Sequence, residues 1–464
     1  MRIGDRGVVP GGSGARIPLP HDGEDLRVAV IGLGYVGSCV AATLAARGLD
    51  VVGVDANPRL VEEINAGHCR LEEEGLAELM AGAVAAGRLR ATTDYALVRD
   101  VDVVLITVGT PVLEDGSLAE EQLRGACLEL SSHIRPGQLL VLKSTVPPGT
   151  TRGLVLPLLQ DSGLIGGVDF GLAFTPERLA EGAALAELRS FPIVVGGLND
   201  DSTQDTAEFW RSSLGVEVMV MDSLEAAEIV KLADNWWIDL NIALGNELAK
   251  YSALFDVDVL DVITAANSIP KGKGQVNILL PSVGVGGSCL TKDPWMVWHS
   301  ARERGLEILT APAGRRVNAS MPEYTAQLAI DELTKLGKDP ATSKVAVLGL
   351  AFKNNTGDLR ATPTVEAVAS LAGACAEVSI YDPLVDTDEA RRLFGRAQAA
   401  SLHDAVAGAD CIAVLALHRE FEDLDFAALP VAPGCLILDG RAYYSRETIA
   451  SLRALGYHYR GVGR

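Results

Sequence analysis

The chain is 464 residues long, is 48% hydrophobic and carries a formal net charge of −21. This length allows about two to four domains, and this apolar content excludes a disordered chain. The acidic balance argues against DNA or RNA as a partner, because phosphate binding needs a basic surface. No apolar run approaches the roughly 20 residues that span a bilayer, so we expect no membrane association.

The seven cysteines are odd in number, widely spaced and free of CxxC pairs. This pattern predicts a reducing, cytoplasmic compartment without a disulfide framework. The seven histidines form no HxH or HExxH motif, so we expect no metal site. Residues 1–24 are rich in Gly, Pro and charge and lack an apolar core segment, which predicts a flexible extension and no secretory signal.

A glycine fingerprint lies within the first apolar segment, RVAVIGLGYVGSCVAATLAARG. Gly32, Gly34 and Gly37 have G-x-G-x-x-G spacing, and the apolar run DVVGVD then ends at Asp55. Strand, glycine turn, helix, strand and acid in this order predict a dinucleotide site. The acid favours NAD over NADP, because it would repel a 2′-phosphate. The alternative is a glycine-rich turn without a ligand.

Three further strands end in polar or turn residues. VDVVLITVGTP and GQLLVLKSTVPPGT place Thr110 and Thr145 at strand ends, where ligands bind in a parallel sheet. DFGLAFTPERLAEG continues into Glu177 and Glu181. Carboxylates beyond such a strand could include a general base. Equally, Glu177 and Arg178 could begin a solvated helix, and the spacing does not choose.

A long helical pattern begins near residue 222. Lys231 and Asn235 lie at i and i+4 and therefore share one face. Such a pair is usually solvated, but the surrounding Ala, Leu, Ile and Trp residues indicate a helix buried on several sides. We expect this helix to form a subunit interface in a homodimer or a higher homo-oligomer.

The segment PSVGVGGSCLTKDP contains three close glycines, then Cys289, Lys292 and Asp293. Its glycines allow a tight turn near a ligand. A thiol beside a cation can form the thiolate, which is the nucleophilic form of cysteine. Taken alone, the segment favours the alternative, a small buried apolar cysteine, because most free cysteines are of that kind.

From about Lys344 the strand pattern repeats. KVAVLGLAF, EVSIYDP, DCIAVLALH and GCLILDGR match four N-terminal strands in the same order. The repeat lacks the full glycine fingerprint, so we expect it to bind something other than a second dinucleotide. The fold class that we predict is α/β, with two doubly wound Rossmann-type domains joined by a long central helical segment.

Taken together, these motifs resemble those of the nucleotide-sugar 6-dehydrogenases, the UDP-glucose, GDP-mannose and UDP-N-acetylhexosamine dehydrogenases. The likeness covers nearly the whole chain from Leu26 and rests on GLGYVG, STVPPGT, PERLAEG, SVGVGGSCLTKD, GLAFKNNTGDLR and DGR. It implies a four-electron oxidation of a sugar 6-hydroxyl to the carboxylate. This reaction uses two NAD⁺ and one water and passes through a cysteine thiohemiacetal and thioester.

The resemblance also implies three sets of site residues. Cys289 matches the nucleophile, Lys231 and Asn235 match oxyanion stabilisers, and Asp293 matches a carboxylate that assists water and lysine. Glu177 matches a proposed general base. The catalytic set is Cys289, Lys231, Asn235, Asp293, Glu177 and Thr145. The cofactor set is Gly32, Gly34, Tyr35, Val36, Gly37, Asp55, Thr110, Thr145, Glu181 and Lys292. The substrate set is Glu177, Arg178, Leu179, Lys231, Asn235, Gly284, Gly286, Gly287, Phe352, Lys353 and Arg441.

The likeness also divides the chain into four segments. These are the extension 1–24, an NAD-binding domain 25–215, a central dimerisation and active-site domain 216–330, and a C-terminal nucleotide-sugar-binding domain 331–464.

The motifs are mixed between substrates. Arg178-Leu179 and Pro294-Trp295 resemble the UDP-N-acetylhexosamine branch, whereas Ser288 and Lys292 resemble the UDP-glucose branch, and Thr291 replaces a usual proline. The substrate is therefore expected to be UDP-N-acetylmannosamine, UDP-N-acetylglucosamine or UDP-glucose. Two other hypotheses are a two-electron NAD-dependent hydroxyacid dehydrogenase, which needs no cysteine, and a non-catalytic nucleotide-sugar-binding oligomer.

Overall fold

The computed structural model describes residues 26–71, 73–271 and 274–464. The flexible extension that the sequence predicts over residues 1–24 lies outside these ranges. The chain divides into two compact units, Met1–Ala233 and Asp234–Arg464. The four-segment division made from the sequence remains a prediction.

The first unit is built on a sheet of eight strands in the order β3-β2-β1-β4-β5-β6-β7-β8, parallel except where β7 runs antiparallel to β6. The strands are β1 Arg27–Ile31, β2 Asp50–Val54, β3 Leu89–Thr92, β4 Val103–Ile106, β5 Leu139–Leu142, β6 Gly171–Phe174, β7 Ile193–Gly197 and β8 Val218–Val220. The helices are α1 Tyr35–Ala46, α2 Pro58–Asn65, α3 Leu76–Ala85, α4 Glu121–Ser131, α5 Leu156–Gln160, α6 Ala184–Glu187 and α7 Asp200–Leu214. A short π-helix covers Thr151–Val155, and a 3₁₀ helix covers Tyr95–Asp100. The first six strands have the order of a doubly wound dinucleotide-binding sheet.

Apolar runs form these strands because helices cover both faces of the sheet. Successive side chains of a strand point to opposite faces, so each strand contributes to two cores. In β1, Val28 and Val30 enter one core while Ala29 and Ile31 enter the other. The carboxyl ends of the six mutually parallel strands, β1 to β6, therefore lie at one edge of the sheet, where the glycine turn begins.

Helix α8, Leu224–Ala253, has 30 residues and is about 45 Å long. It contains Gly245 without a break. A Cβ on Gly245 would lie 2.4 Å from the carbonyl oxygen of Leu279, so a close backbone approach requires glycine inside the helix. The long central helix that the sequence predicts is confirmed.

The second unit contains four further helices before its own sheet. They are α9 Val259–Asn267, α10 Asp293–Arg302, α11 Thr310–Ala319 and α12 Met321–Lys335. A two-stranded antiparallel ribbon pairs β9 Pro270–Lys271 with β10 Gly274–Gln275. The segment that holds Cys289 immediately precedes α10.

The second sheet has the order β12-β11-β13-β14-β15 and is parallel throughout. Its strands are β11 Lys344–Leu348, β12 Glu377–Tyr381, β13 Cys411–Val414, β14 Leu436–Asp439 and β15 His458–Gly461. Its helices are α13 Thr364–Ala374, α14 Thr387–Phe394, α15 Leu402–Val406, α16 Arg419–Glu422 and α17 Arg446–Ala454, with 3₁₀ turns at Pro340–Thr342 and Phe426–Ala428. This is a second doubly wound sheet, so the predicted fold class is confirmed.

Within the described ranges, no helix combines the length and apolar character needed to cross a membrane. The same residues contain no group of three or more His, Cys, Asp or Glu side chains placed to hold a metal ion.

Candidate active site

The glycine turn between β1 and α1 has the shape of a dinucleotide cradle. Gly32 has φ +90°, a conformation that favours glycine. A Cβ on Gly37 would lie 1.9 Å from the carbonyl oxygen of Gly32, so the helix could not approach the strand with a larger residue. Gly34 is exposed, and a Cβ there would meet nothing within 4 Å. Because α1 begins next, at Tyr35, open space lies in front of a helix N-terminus, which suits a pyrophosphate.

Asp55 fixes this turn from the end of β2. One carboxylate oxygen accepts a hydrogen bond from the backbone N–H of Leu33 at 2.7 Å, and the other accepts from Asn57 at 2.9 Å. The hydroxyl of Thr107 donates to the carbonyl of Gly32 at 2.7 Å. The acid expected to meet the ribose therefore also determines the position of the backbone beside it.

A carboxylate that the sequence did not single out joins the turn to the PERLAEG loop. Buried Glu73 pairs with the hydroxyl of Tyr35 and accepts from the N–H of Gly182 at 2.7 Å. Burial, with the Glu73 hydrogen bond, raises the pKa of Tyr35, which therefore stays a neutral phenol. Glu181 and Val36, two predicted cofactor residues, are half-buried next to this junction.

Glu177 does not begin a solvated helix, so that alternative is wrong. The residue is buried after β6, and the next helix, α6, begins only at Ala184. One of its carboxylate oxygens lies 3.2 Å from the ammonium of Lys143, and the other accepts the N–H of Leu179 at 2.8 Å. Lys143 is itself buried at the end of β5, so this is an ion pair inside the unit.

The neighbouring predicted residues differ in their environment. The guanidinium of Arg178 donates to the carbonyl of Pro192 at 2.8 Å, so at least one of its donors serves the fold. Thr110 is buried in the loop that follows β4, four residues beyond the end of the strand, whereas Thr145 and Leu179 are half-buried.

Lys231 and Asn235 are both buried on α8, so they are not a solvated pair. One turn before Lys231, fully buried Glu228 accepts from the N–H groups of Gly149 and Thr151 at 2.5 and 2.8 Å. Burial raises the pKa of Glu228 against the lowering effect of these bonds. The carboxylate attaches the STVPPGT loop, which holds Thr145, to the helix that holds Lys231.

Cys289 differs from every other cysteine of the chain. All seven lie in the described part of the chain and are free, and Cys289 alone is exposed. Burial raises the pKa of each of the other six thiols, to about 12 for Cys39, Cys127 and Cys435. The alternative of a buried apolar filler is therefore wrong for Cys289 and correct for four of its counterparts.

A buried carboxylate links the segment of Cys289 to α8. Asp293 is the first residue of α10 and is fully buried. One of its oxygens accepts from the side-chain amide of Asn235, and the other lies 2.6 Å from the ammonium of Lys292. The helix N-terminus further favours this negative charge. Asn235, Lys292 and Asp293 therefore form one connected group, and two of its members, Lys292 and Asp293, closely follow Cys289 in the sequence.

Close packing explains why the segment of Cys289 has glycines at positions 284, 286 and 287. A Cβ on Gly286 would lie 2.3 Å from the Cβ of Phe352, and one on Gly284, whose φ is +137°, would lie 2.9 Å from Pro363. The N–H of Gly287 donates to the carbonyl of Arg360 at 2.9 Å. The loop after β11 thus packs directly against the cysteine segment, and the predicted role of these glycines around a ligand remains a prediction.

The loop after β11 is also fixed by Arg441, whose guanidinium donates to the carbonyl of Phe352. Lys353, the next residue, is exposed. Phe352, Lys353 and Arg441 are therefore close together at the carboxyl edge of the second sheet, as expected for a ligand site in such a fold.

Comparisons with known proteins cover nearly all of the described chain. Models of the UDP-glucose/GDP-mannose dehydrogenase family match residues 26–213 as the NAD binding domain, 225–320 as the central domain and 346–446 as the UDP binding domain. A UDP-N-acetyl-D-mannosamine dehydrogenase from Pyrococcus horikoshii is 33% identical over 95% of this chain and 99% of its own. A GDP-mannose 6-dehydrogenase from Pseudomonas savastanoi pv. phaseolicola is 34% identical over 78% of this chain and 82% of its own.

Solved structures agree. The Pyrococcus horikoshii UDP-D-ManNAc dehydrogenase superposes with a TM-score of 0.85 at 31% identity, covering 95% of this chain and 99% of that one. A UDP-glucose dehydrogenase from Pyrobaculum islandicum gives a TM-score of 0.83 at 30% identity over 96% and 99%. The chain belongs to the UDP-glucose/GDP-mannose dehydrogenase family and is an NAD-dependent nucleotide-sugar dehydrogenase.

Proposed function

We propose that this dehydrogenase carries out a four-electron oxidation, with Cys289 as its covalent catalyst. The observation that carries the proposal is the exposure of this one thiol among seven, in a chain whose other thiols have raised pKa values. A two-electron dehydrogenase has no use for an exposed thiol on a glycine loop beside a buried carboxylate. Family membership argues against the non-catalytic alternative.

The covalent steps balance in atoms and electrons. Loss of hydride and a proton converts the sugar 6-hydroxyl to an aldehyde, and the Cys289 thiolate adds to its carbon. The resulting thiohemiacetal loses a second hydride and a proton and becomes a thioester. Water then breaks the C–S bond, which releases the carboxylate and regenerates the thiol. NAD⁺, when bound, would supply the hydride acceptor for each of the two oxidations, so one turnover would need two NAD⁺.

Several buried polar side chains could stabilise the charges that develop during these reaction steps. An oxyanion forms when the thiolate adds and again when water attacks, and a fixed cation or amide stabilises it. We assign these roles to Lys231 and Asn235, and the handling of the proton of water to Asp293, which is paired with Lys292. Glu177 is assigned as a proton acceptor whose charge Lys143 stabilises. The turn of Gly32, Gly34 and Gly37 with Asp55 would hold the dinucleotide.

UDP-N-acetylmannosamine is the substrate that we propose to test first. Six relatives at 33–34% identity carry the name UDP-N-acetyl-D-mannosamine dehydrogenase. The Arg178-Leu179 and Pro294-Trp295 pairs support the same branch. UDP-N-acetylglucosamine and UDP-glucose remain in the comparison because Ser288 and Lys292 resemble the glucose branch.

The central test is the yield of NADH per sugar consumed. We expect two NADH and one uronic acid per sugar, and a yield of one NADH would contradict the proposal. Cys289→Ala should abolish acid formation while NAD binding persists. Cys375→Ala, which removes a half-buried thiol from the same unit, is the matched control and should keep full turnover.

We also propose a homodimer or higher homo-oligomer in the cytoplasm. Trp237, Leu244 and Tyr251 recur at heptad spacing on α8 and are exposed, and a cavity of about 540 Å³ lies beside Trp237 and Leu244. Covering this face would remove apolar surface from water. Sedimentation should give at least twice the chain mass of 48.8 kDa, and Trp237→Glu/Leu244→Glu should dissociate the assembly. A monomeric wild type would contradict the proposed oligomer. The cytoplasmic location is supported by the seven cysteines, all of which are free thiols.

A further inference from the structure

A buried polar cluster lies beneath the cysteine segment and has no place in the reaction described above. It consists of Asp239 and Asn246 from α8 and Arg315 and Asn318 from α11. All four are buried, with exposed fractions of 1%, 0%, 7% and 1%, respectively. We call these four residues the Asp239 cluster.

The cluster is internally bonded. The guanidinium of Arg315 lies 2.6 Å from one carboxylate oxygen of Asp239. The side-chain amide of Asn318 donates to that same oxygen at 2.8 Å and to the backbone carbonyl of Asp239 at 2.9 Å. Asn246 donates to the side-chain oxygen of Asn318 at 2.9 Å. One continuous network therefore connects two turns of α8 with α11.

The same network contacts both ends of the glycine loop that presents Cys289. At the start of the loop, Asn246 accepts the N–H of Ser282 at 2.7 Å, and the Ser282 hydroxyl donates to the carbonyl of Gly284 at 2.8 Å. At the other end, the guanidinium of Arg315 lies 3.5 Å from the carbonyl of Leu290, the residue after Cys289.

Helical geometry explains how one helix reaches these points. Asn235, Asp239 and Asn246 succeed one another at spacings of four and seven, so they form a stripe along one face of α8. Asn235 bonds Asp293 beyond the loop, and Asn246 bonds Ser282 before it. Asp239 lies between them and holds Arg315 against Leu290.

Burying the charged and polar side chains of the Asp239 cluster costs free energy, so their presence in the interior needs an explanation. A buried ion pair contributes little net stability, because desolvation offsets its attraction. Burial raises the pKa of Asp239, while Arg315 and Asn318 oppose this shift, and the second carboxylate oxygen has no hydrogen-bond partner among the described residues. An apolar cluster of the same volume would pack at lower cost, but it could not fix the orientation of backbone amides and carbonyls.

We propose that the Asp239 cluster positions the Cys289 loop for the covalent step. It acts through the backbone at Ser282 and Leu290 and does not itself touch the reacting atoms. The inference rests on the proposed covalent role of Cys289. Because a displacement of about 1 Å of a reacting group can cost roughly a hundredfold in rate, loosening either anchor should slow the steps at the thiol.

Two variants test the two anchors separately. Asn246→Ala removes the bond to Ser282 and leaves the ion pair in place. Arg315→Lys keeps the charge beside Asp239, but a compact ammonium cannot also reach Leu290. Asn267→Ala is the matched control: this half-buried asparagine also bonds backbone, donating to the carbonyl of Ile278 at 3.0 Å and accepting its N–H at 2.8 Å, upstream of the loop.

The measurements are kcat, KM for both substrates, the rate of Cys289 alkylation by iodoacetamide, and the denaturant midpoint. For Asn246→Ala and Arg315→Lys we expect kcat to fall roughly tenfold to a hundredfold and the alkylation rate to change, with KM for NAD within about twofold. Asn267→Ala should lower only the denaturant midpoint. A lower midpoint with unchanged kcat and alkylation rate in all three variants would overturn the proposal and leave the cluster a purely stabilising role.

The outcome stays separate from that of the proposed function. If wild-type enzyme yields one NADH per sugar, or if Cys289→Ala remains fully active, the covalent role fails irrespective of the cluster variants. If the covalent role holds and the variants keep wild-type kcat and alkylation rates, only the positioning role fails.

Discussion

The two doubly wound sheets begin with the same construction. In the first, Asp55 accepts the N–H of Leu33 at 2.7 Å and of Asn57 at 2.9 Å. In the second, Asp382 accepts the N–H of Leu350 at 2.6 Å and of Leu384 at 2.9 Å. Each acid comes directly after the second strand and holds the turn after the first. The repeat seen in the sequence is thus reproduced down to individual hydrogen bonds.

The sheets differ in the segment that comes after the turn. In the first unit α1 starts directly at Tyr35, so a helix N-terminus stands at the open turn. In the second, α13 starts only at Thr364, and the intervening loop carries Phe352 and Lys353. The second site therefore lacks the short glycine turn and helix that suit a pyrophosphate.

The acids also differ in their partners. A ring nitrogen of buried His418 lies 2.9 Å from the Asp382 carboxylate, and the other accepts the N–H of Asn355 at 2.8 Å. His418 thereby fills hydrogen-bonding capacity on Asp382 and also anchors the Phe352 loop. The two equivalent acids therefore have different expected roles. We expect Asp55 to bind the dinucleotide, whereas Asp382 holds a loop through His418, which lies 36 positions away in the sequence.

The largest effect should come from Gly37→Ala. A Cβ at this position would lie 1.9 Å from the Gly32 carbonyl and force α1 away from the turn. Overpacking of this kind costs about 1–3 kcal/mol, so NAD affinity should fall roughly tenfold to a hundredfold. Gly373→Ala, in α13 with no neighbour within 4 Å, is the control. Titration of NAD measures both, and unchanged affinity in Gly37→Ala would refute the cradle.

Replacing Asp55 and Asp382 by alanine, one at a time, should affect the binding of NAD and of the nucleotide sugar separately. Asp55→Ala loses the bond to Leu33 and removes the carboxylate that we expect to bind the ribose, so KM for NAD should rise about tenfold with KM for the nucleotide sugar unchanged. Asp382→Ala should give the reverse pattern. Initial rates with each substrate varied in turn measure both constants. If both variants changed only KM for NAD, the assignment of the second sheet would be wrong.

A smaller effect is expected from His418→Ala. Losing a hydrogen bond to a carboxylate costs about 1.5–3 kcal/mol, and part of this cost should appear as loosening of the Phe352 loop. We expect KM for the nucleotide sugar to rise several-fold and KM for NAD to stay constant. His403→Ala, at an exposed position of the same unit, should behave as wild type. Equal effects on both constants would contradict a local role.

The smallest effect concerns the buried carboxylates of α8, Glu228 in the first unit and Asp239 in the second. Burial raises the pKa of both. For Glu228, the folded state binds the proton more tightly than the unfolded state. Its contribution to stability is therefore present below the ordinary glutamate pKa of 4.5 and is lost as the pH rises through the folded pKa.

Glu228→Gln should therefore flatten the dependence of the unfolding free energy on pH above 4.5, although it also loses hydrogen bonds to the loop at Gly149. Urea titrations from about pH 4.5 to neutrality measure this slope. A slope that is the same in wild type and variant would show that Glu228 titrates alike in both states.

Several parts of the protein could be predicted from the sequence because they depend on local pattern. Apolar runs buried on both faces predicted β1, β2, β4, β5, β6 and four strands of the second sheet, and the spacing of Gly32, Gly34, Gly37 and Asp55 predicted the cradle. The long helix could likewise be predicted from its periodicity, and the Cys289 segment from its motif, because each of these features is contained in one continuous stretch of sequence.

Which isolated polar residues matter is visible only in the folded chain. Glu73, Lys143, His418 and Arg315 belong to no motif that the sequence shows and look like ordinary surface groups, yet each is buried against a partner 34 to 76 positions away. Their roles arise from contacts between segments that are distant in the sequence. The same holds for Gly286, where only glycine fits because a Cβ would collide with Phe352. Burial converts such contacts into strong constraints, because an unpaired polar group away from water is costly.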